Sequence, residues 1–178
     1  MSKANSELFL AKPTPILFLD LDSTVRKGVD ELGHFVHTVA DVEVFPAAVE
    51  QMKKAKAQGW RIVAITNQGG VALGSFPYSD AVATLAETNK QTGELFDKMM
   101  MCIHHPDAKD PEMAVCWCRK PKPGMVIEAA IGLGVQHNEY YPPHMALFVG
   151  DRPEDQQCAE AAGIQFMDAK KWRGEAHE

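Results

Sequence analysis

Short apolar runs alternate with amphipathic stretches along most of this chain. The runs are rich in β-branched or large apolar residues, and they predict buried strands at 15–20, 60–66, 98–104, 146–149 and 164–167. Between the runs, apolar residues recur at helical spacing and are bounded by Pro, Ser or Gly, which predicts helices at 46–59, 79–96, 124–133 and 153–162.

Strands that alternate with helices imply right-handed crossovers and a sheet covered on both faces. We therefore expect an α/β protein, a Rossmann-like three-layer sandwich with a mostly parallel central sheet. A flexible N-terminal tail at 1–12 precedes a single predicted domain at 13–178. The irregular stretch 25–44 predicts a flap or short hairpin over a strand end. In such folds ligands bind beyond the carboxyl ends of the strands.

Two carboxylates close the first predicted strand. Side chains alternate across a strand, so Asp20 and Asp22 emerge on one face where the strand ends. Neighbouring carboxylates repel each other and need a cation or a proton between them, which suits divalent-metal binding combined with acid chemistry. Taken alone, the pair also fits a strand that ends in an ordinary polar turn.

The other strand ends carry the remaining parts of a phosphoryl-transfer site. An aspartate nucleophile needs an acid for the leaving oxygen, donors and cations for the phosphoryl oxygens, and further carboxylates for a metal. Asp20 can attack the phosphorus, and Asp22 can donate and later withdraw a proton. Thr66 and Asn67 can donate hydrogen bonds to the phosphoryl oxygens, and Arg119 and Lys120 bring positive charge. Asp151 and Asp155 add the carboxylates of a magnesium site. Singly, these clusters also fit a turn, a solvated basic pair and a helix start.

Together, the segments 20–24, 66–68, 119–121 and 150–155 resemble the four motifs of the haloacid dehalogenase (HAD) superfamily of phosphohydrolases. The resemblance covers about residues 15–168. It implies a HAD-like fold with a minimal cap, Asp20 as nucleophile and Asp22 as general acid and base. It also implies that Asp22 binds Mg²⁺ through its backbone carbonyl, with Asp151 as a further ligand. The residues predicted to bind the substrate phosphate are Ser23, Thr66, Asn67, Arg119 and Lys120; the family commonly has glycine at the position of Ser23. Asp20 is also a predicted Mg²⁺ ligand, and Asp155 is predicted to lie behind the ligands.

Cysteine and histidine cluster in two pairs, Cys102-x-His104 and Cys116-x-Cys118. Three thiolates and an imidazole form the closed ligand set of a structural zinc site, although the spacing within each pair is shorter than the usual C-x-x-C. Buried cysteines are the alternative, and it is weakened because the pairs bracket a long loop with nothing else to order it. The cluster resembles the zinc site of the HAD subgroup that contains D-glycero-D-manno-heptose 1,7-bisphosphate phosphatase and histidinol-phosphate phosphatase. We expect a zinc loop at 102–118.

Composition restricts the class of partner. The chain has 178 residues and a net charge of −6, so it lacks the overall positive charge that is typical of nucleic-acid-binding proteins. Its four cysteines do not form the pattern of a disulfide framework. No apolar run reaches the roughly 18 residues that span a membrane, and no signal-peptide core is present. We expect a monomeric cytoplasmic enzyme, active on a small phosphorylated metabolite, without nucleic-acid or membrane partners.

The substrate is the least determined part. A heptose or other sugar bisphosphate ranks first, which places the enzyme in carbohydrate metabolism. The segment 71–76 lacks the arginine expected before Gly74 in heptose enzymes, and 75–77 looks more like the histidinol-phosphate group. A polynucleotide 3′-phosphatase shares the general plan, but the acidic balance argues against it. Alternatives of another class are a phospho-accepting receiver domain and a non-catalytic binding relative.

Overall fold

The computed structural model describes residues 11–28 and 36–175. Most of the predicted tail at 1–12 lies outside these residues, as does the middle of the predicted flap at 25–44. Lys12, at the edge of the predicted tail, belongs to a short strand, β1 (Lys12–Pro13), that pairs in parallel with β5 (Glu139–Tyr140). The two ends of the flap pair in antiparallel fashion through Arg26 and Val44, as in a hairpin.

The central sheet is parallel and has five strands within the described residues, in the order β4-β3-β2-β6-β7. These strands are β2 (Ile16–Leu19), β3 (Arg61–Asn67), β4 (Lys98–Cys102), β6 (Ala146–Gly150) and β7 (Gln165–Asp168). In the centre, Leu19 pairs with Ala64 on one side and with Val149 on the other. The carboxyl ends of the strands therefore share one edge, and the segments that follow β2, β3 and β6 meet there.

Helices cover both faces of the sheet, as the alternation of side chains along each strand requires. Ile16 and Phe18 of β2 pack on one face, against α5 (Gly124–His137) and α6 (Pro153–Ala162). Leu17 and Leu19 face the opposite layer, which contains α1 (Pro46–Ala57), α3 (Tyr78–Gln91) and α7 (Ala169–Arg173). This arrangement confirms the three-layer α/β fold.

The loops at the carboxyl edge contain two one-turn helices, α2 (Gly70–Leu73) and α4 (Pro111–Ala114). Short 3-10 turns lie at Val39–Asp41 and Pro143–Met145. No helix within 11–28 and 36–175 is both long enough and apolar enough to cross a membrane.

Two helix boundaries differ from those that the pattern predicts. Helix α5 continues through Gly134, where a Cβ would lie 2.8 Å from the carbonyl oxygen of Glu139, so this glycine permits a close approach and does not end the helix. The helix ends at His137 and is capped by Asn138, whose φ of 52° lies in the left-handed region. Helix α3 ends at Gln91, short of the predicted residue 96. Helix α7 was not predicted.

Candidate active site

Asp20, Lys120 and Asp155 form a buried row at the carboxyl edge of the sheet. Asp20 follows β2 directly, and its backbone N–H donates to the carbonyl of Val149. Lys120 Nζ lies 2.5 Å from Asp20 Oδ1 and 2.7 Å from Asp155 Oδ1, and it also donates to the carbonyl of Ile65 at 3.0 Å. A cation from a distant loop is thus fixed between carboxylates that follow two different strands.

The charges in this row determine which groups stay ionised. Burial, together with the nearby carboxylates of Asp155 and Asp22, raises the pKa of Asp20 to about 8, and the positive charge of Lys120 opposes that rise. Although its burial acts the other way, the carboxylates of Asp20 and Asp155 raise the pKa of Lys120. Lys120 therefore stays a cation.

Asp20, Asp151 and Asp155 each bring a carboxylate oxygen into a group in which all these atoms lie within 4.8 Å of one another. Such oxygens suit Mg²⁺, and Asp151, whose side chain is 25% exposed, leaves room for the waters that Mg²⁺ keeps. Asp155, which we predicted to stand behind the ligands, takes part in this group and also accepts from the backbone N–H of Arg152 at 3.1 Å. Gly150 permits this approach, since a Cβ there would overlap the Asp155 side chain.

Asp22 points its carboxylate elsewhere. Its Oδ1 accepts from Arg26 Nε at 2.7 Å, and its Oδ2 accepts from Gln68 Nε2 at 3.3 Å. The carboxylate of Asp22 is therefore not part of the three-carboxylate group, which leaves its backbone carbonyl as the predicted metal contact. Arg26 was not singled out from the sequence. Its only signal there is a basic residue four positions after an acidic one, and the basic Lys27 directly after it makes that signal ambiguous.

The predicted phosphate-binding residues are not equally placed. Thr66 is buried at the cleft, where its Oγ1 accepts from Gln68 at 2.9 Å. Asn67 also lines the cleft, but its amide is engaged with the backbone of Lys120, accepting from the N–H at 3.0 Å and donating to the carbonyl at 3.1 Å. Ser23 is not among the residues that line the cleft within the described chain. Asn67 thus positions the loop that carries Lys120, and a direct phosphate contact from Ser23 stays a prediction.

Ser23 adopts a left-handed conformation, with φ of 62°, where the family commonly has glycine. A buried arginine from α7 stabilises this turn: Arg173 Nη1 donates to the carbonyls of Ser23 and Thr24, each at 2.8 Å. The guanidinium of Arg173 also stacks over the ring of Phe45 at 4.1 Å. The C-terminal helix therefore supports the backbone that follows Asp22.

A cleft of about 220 Å³ opens at Asp20, Asp22 and Lys120. Arg119 lines it and donates to the carbonyl of His104 at 3.1 Å. One wall is largely apolar: Phe76 makes an edge-to-face contact with His37, with ring centroids 4.9 Å apart. Gly70 lies beneath the Phe76 ring, and a Cβ at that position would overlap it. Neither His37 nor Phe76 was predicted to belong to the site.

The cysteine cluster assembles as predicted. Cys102 Sγ lies 3.0 Å from Cys118 Sγ and 3.6 Å from Cys116 Sγ, and His104 Nδ1 lies 3.4 Å from Cys118 Sγ. These four ligand atoms all lie within 4.8 Å of one another, a set that could hold a metal ion. Burial raises the pKa of Cys102, so a bound cation would be needed to keep it as a thiolate.

The surroundings of this cluster link it to the cleft. The backbone N–H of Arg119 donates to Cys116 Sγ at 3.4 Å, and against the effect of burial it lowers the pKa of that thiol. The residue after Arg119 is Lys120, so a rigid cysteine cluster would also fix the position of the buried lysine. Cys158 is separate, fully buried on α6 as predicted for a core residue.

The chain is similar in sequence to a family of phosphatases and to individual members of known name. The family model described as polynucleotide kinase 3 phosphatase matches residues 15–171. The chain is 34% identical over 160 residues to the D-glycero-beta-D-manno-heptose-1,7-bisphosphate 7-phosphatase of Escherichia coli (strain K12), covering 87% of this chain and 78% of that protein. The corresponding protein of Pasteurella multocida (strain Pm70) is 31% identical over 154 residues, covering 84% and 77%.

A solved structure shows the same likeness. The D,D-heptose 1,7-bisphosphate phosphatase from B. bronchiseptica, complexed with magnesium and phosphate, superposes with a TM-score of 0.69 at 26% sequence identity. The match covers 86% of this chain and 79% of that one.

Proposed function

This chain belongs to the polynucleotide kinase 3 phosphatase family within the HAD superfamily of phosphatases, and we propose that it hydrolyses its ester through a phosphorylated Asp20. The buried row of Asp20, Lys120 and Asp155 carries this proposal. Lys120 lies within 2.7 Å of both carboxylates and neutralises part of their charge, so a phosphate group can approach Asp20. The three-carboxylate group, which shares Asp20 and Asp155 with this row, would supply oxygens for a magnesium ion.

The chemistry is divided between two aspartates. A carboxylate oxygen of Asp20 attacks the phosphorus while the bond from phosphorus to the leaving oxygen breaks, and Asp22 gives that oxygen a proton. A water molecule then attacks the phosphorus, the bond to Asp20 breaks, and Asp22 takes a proton from that water. One ester and one water give an alcohol and inorganic phosphate, and both aspartates return to their starting states.

The remaining residues bind and orient the phosphate. Lys120 and Arg119 offer positive charge at the cleft, and Thr66 offers a hydroxyl donor. Asn67 holds the Lys120 backbone through two hydrogen bonds and so fixes the lysine. Magnesium held by Asp20, Asp151 and the backbone carbonyl of Asp22, with Asp155 close by, would supply positive charge for the phosphoryl oxygens.

We assign zinc to the group of three cysteines and one histidine. Closed sulfur and nitrogen sets of this kind suit a structural zinc ion, and the exposed loop between the two pairs has little apolar packing of its own. Zinc there would order the segment from Cys116 to Lys120 and thereby place the cations of the cleft. A monomeric state and a cytoplasmic location stay predictions.

A sugar bisphosphate is the proposed substrate class, supported by the names of the relatives and by a cleft whose floor combines Arg119, Lys120 and polar donors. A kinetic screen with Mg²⁺ tests this choice, with phosphate release measured from heptose and hexose bisphosphates, histidinol phosphate and 3′-phosphorylated oligonucleotides. We expect the highest kcat/KM for a sugar bisphosphate. A higher value for histidinol phosphate or for the oligonucleotide would reassign the substrate.

The nucleophile is tested separately. Asp20→Asn should abolish turnover of whichever ester the screen selects, because the amide lacks the nucleophilic oxygen. Asp107→Asn is the matched control, since Asp107 is exposed in the loop that precedes α4. Activity retained by Asp20→Asn would exclude the phosphorylated Asp20.

A further inference from the structure

Arg26 is the largest fully buried side chain within the described residues, and it touches the proposed general acid. Its exposed fraction is 0%, and its Nε donates to Asp22 Oδ1 at 2.7 Å. Burying a guanidinium is costly unless partners compensate its desolvation; here Nε and Nη1 have partners within the described residues, whereas Nη2 has none. None of the proposed catalytic steps uses Arg26, although it contacts Asp22, one of the two aspartates assigned to them.

The far end of the Arg26 side chain is anchored on a different element. Its Nη1 donates to Thr88 Oγ1 at 3.0 Å and lies 3.4 Å from the carbonyl of Thr84, both on α3. Thr88 in turn donates to the carbonyl of Thr84 at 2.7 Å, which fixes the orientation of its hydroxyl group. The guanidinium therefore connects the loop after β2 to a rigid helix in the layer that covers the sheet.

The backbone around Arg26 is equally constrained. The carbonyl of Leu21 accepts from the N–H groups of three residues that follow it, and the N–H of Ser23 donates back to the carbonyl of Arg26 at 2.8 Å. The three donors are Thr24, Val25 and Arg26. Asp22 and Arg26 thus sit at opposite sides of one closed turn, so the side-chain bond between them cannot be lost by a small rotation of the loop.

The two oxygens of Asp22 consequently differ. Oδ1 is occupied by the strong charged hydrogen bond from Arg26, whereas Oδ2 has only the longer contact of 3.3 Å with Gln68, which lines the cleft. A carboxylate held in this way keeps its plane fixed and presents one chosen oxygen to the cleft. Such pre-orientation is what proton transfer to a leaving oxygen requires.

We propose that Arg26 is a positioning residue, which holds Asp22 so that Oδ2 exchanges the proton with the leaving oxygen and with the attacking water. This inference rests on the proposed role of Asp22 as general acid. Arg26 would thus be a functional residue outside the four motifs. Through Arg26, helix α3 would help to hold the loop that carries Asp22. Arg26 itself touches neither substrate nor metal in this scheme.

The test compares two esters of similar shape whose leaving oxygens differ in basicity, p-nitrophenyl phosphate and phenyl phosphate, at saturating Mg²⁺. Loss of proton donation harms the more basic leaving group more, whereas a general loss of structure harms both equally. We expect Arg26→Met to raise the ratio of kcat/KM for p-nitrophenyl phosphate over phenyl phosphate by about tenfold or more. Arg26→Lys, which keeps a donor and a charge, should restore part of that change.

Arg61→Met is the matched control, because it also removes an arginine that is hydrogen-bonded to carboxylates, those of Glu139 and Asp97, but at the opposite edge of the sheet. It should lower the melting temperature and leave the ratio unchanged. Should Arg26→Met fail to fold, Thr88→Val keeps the contact between Arg26 and Asp22 and removes the two hydrogen bonds of the Thr88 hydroxyl, to Arg26 and to the carbonyl of Thr84. It should shift the ratio in the same direction by a smaller amount.

Asp22→Asn separates the two levels of the proposal. If this variant leaves the ratio unchanged, Asp22 is not the general acid, and the role of Arg26 falls with it. If it raises the ratio while Arg26→Met and Thr88→Val do not, only the positioning role is overturned. If both raise it, Arg26→Met combined with Asp22→Asn should add nothing further to the ratio.

Discussion

Lys120 Nζ lies 2.5 Å from Asp20 Oδ1, although the two residues are 100 positions apart in the chain. The lysine follows the cysteine loop, and the aspartate follows the central strand β2. Their contact joins two segments that the sequence predicts to be functional, the end of β2 and the loop that carries the cysteine cluster. Since Lys120 also meets Asp155, it compensates two carboxylates that would otherwise repel each other and a phosphate.

Lys120→Met should lower kcat/KM by about 100-fold to 1,000-fold, because it removes the buried positive charge that contacts Asp20, the proposed nucleophile. The side chain of methionine fills a similar volume, so the loss should exceed any effect of packing. Steady-state phosphate release measures it, with Lys109→Met on the exposed loop as the control. A value within tenfold of the unchanged enzyme would contradict the role of Lys120.

Gly70→Ala should raise KM for the substrate with a smaller change in kcat. A Cβ at Gly70 overlaps the ring of Phe76, so the ring must leave its contact with His37 and alter the cleft wall. Gly132→Ala on α5 is the control, because its Cβ meets only the flexible end of Lys98, at 3.1 Å. Equal kinetics for the two variants would show that the wall does not contact the substrate.

Protein purified without added metal should contain about one zinc per chain by elemental analysis, because the set of three thiols and one imidazole is complete. Cys118→Ser should reduce the zinc content and the melting temperature together. Cys158→Ser, which alters a buried thiol outside the cluster, should keep the zinc. A chain that holds no zinc and melts unchanged after chelation would refute the site.

Asp97 should stabilise the fold at neutral pH and lose that contribution in acid. Although burial opposes the effect, hydrogen bonds from Lys56, the N–H of Ile62 and Arg61 lower the pKa of Asp97. Because the folded pKa lies below the unfolded value of roughly 3.9, the stabilisation is present above that value and disappears as the pH falls through the folded pKa.

Asp97→Asn should therefore lower the free energy of unfolding at pH 7 by about 1–3 kcal/mol, and the gap should narrow towards pH 3. Denaturant titrations at the two pH values measure the difference. Glu50→Gln, at an exposed position on α1, should show little difference at either pH. A gap that is as large at pH 3 as at pH 7 would contradict the ionic origin of the effect.

The strands and most helices were predictable because each depends on a local pattern. The buried run at Ala146–Gly150 and the helix Pro153–Ala162, closed by Gly163, appear where the spacing of apolar residues places them. Helix α5 was predicted too short because a glycine was interpreted as a terminator. Its role at Gly134 is to let Glu139 approach, and that contact is absent from any local window.

The placement of the candidate site residues was predictable for a related reason. Parallel strands deliver their carboxyl ends to one edge, so an aspartate after β2 and a carboxylate after β6 meet whatever the intervening sequence is. The two cysteine pairs converge because they flank a single loop. Residue type and order were therefore enough to propose Asp20, Asp151, Lys120 and the metal-binding cluster.

By itself, the sequence determined the fold class, the edge at which the site forms and the residues that carry charge to it, because these follow from periodicity and strand order. Only the tertiary structure decided which partner each polar group receives. In the folded chain the Asp22 carboxylate accepts a hydrogen bond from Arg26, and the Asn67 amide bonds to the backbone of Lys120. Arg173 donates to the carbonyl of Ser23 in the turn. A buried hydrogen bond depends on where distant elements pack, and no local pattern records that position.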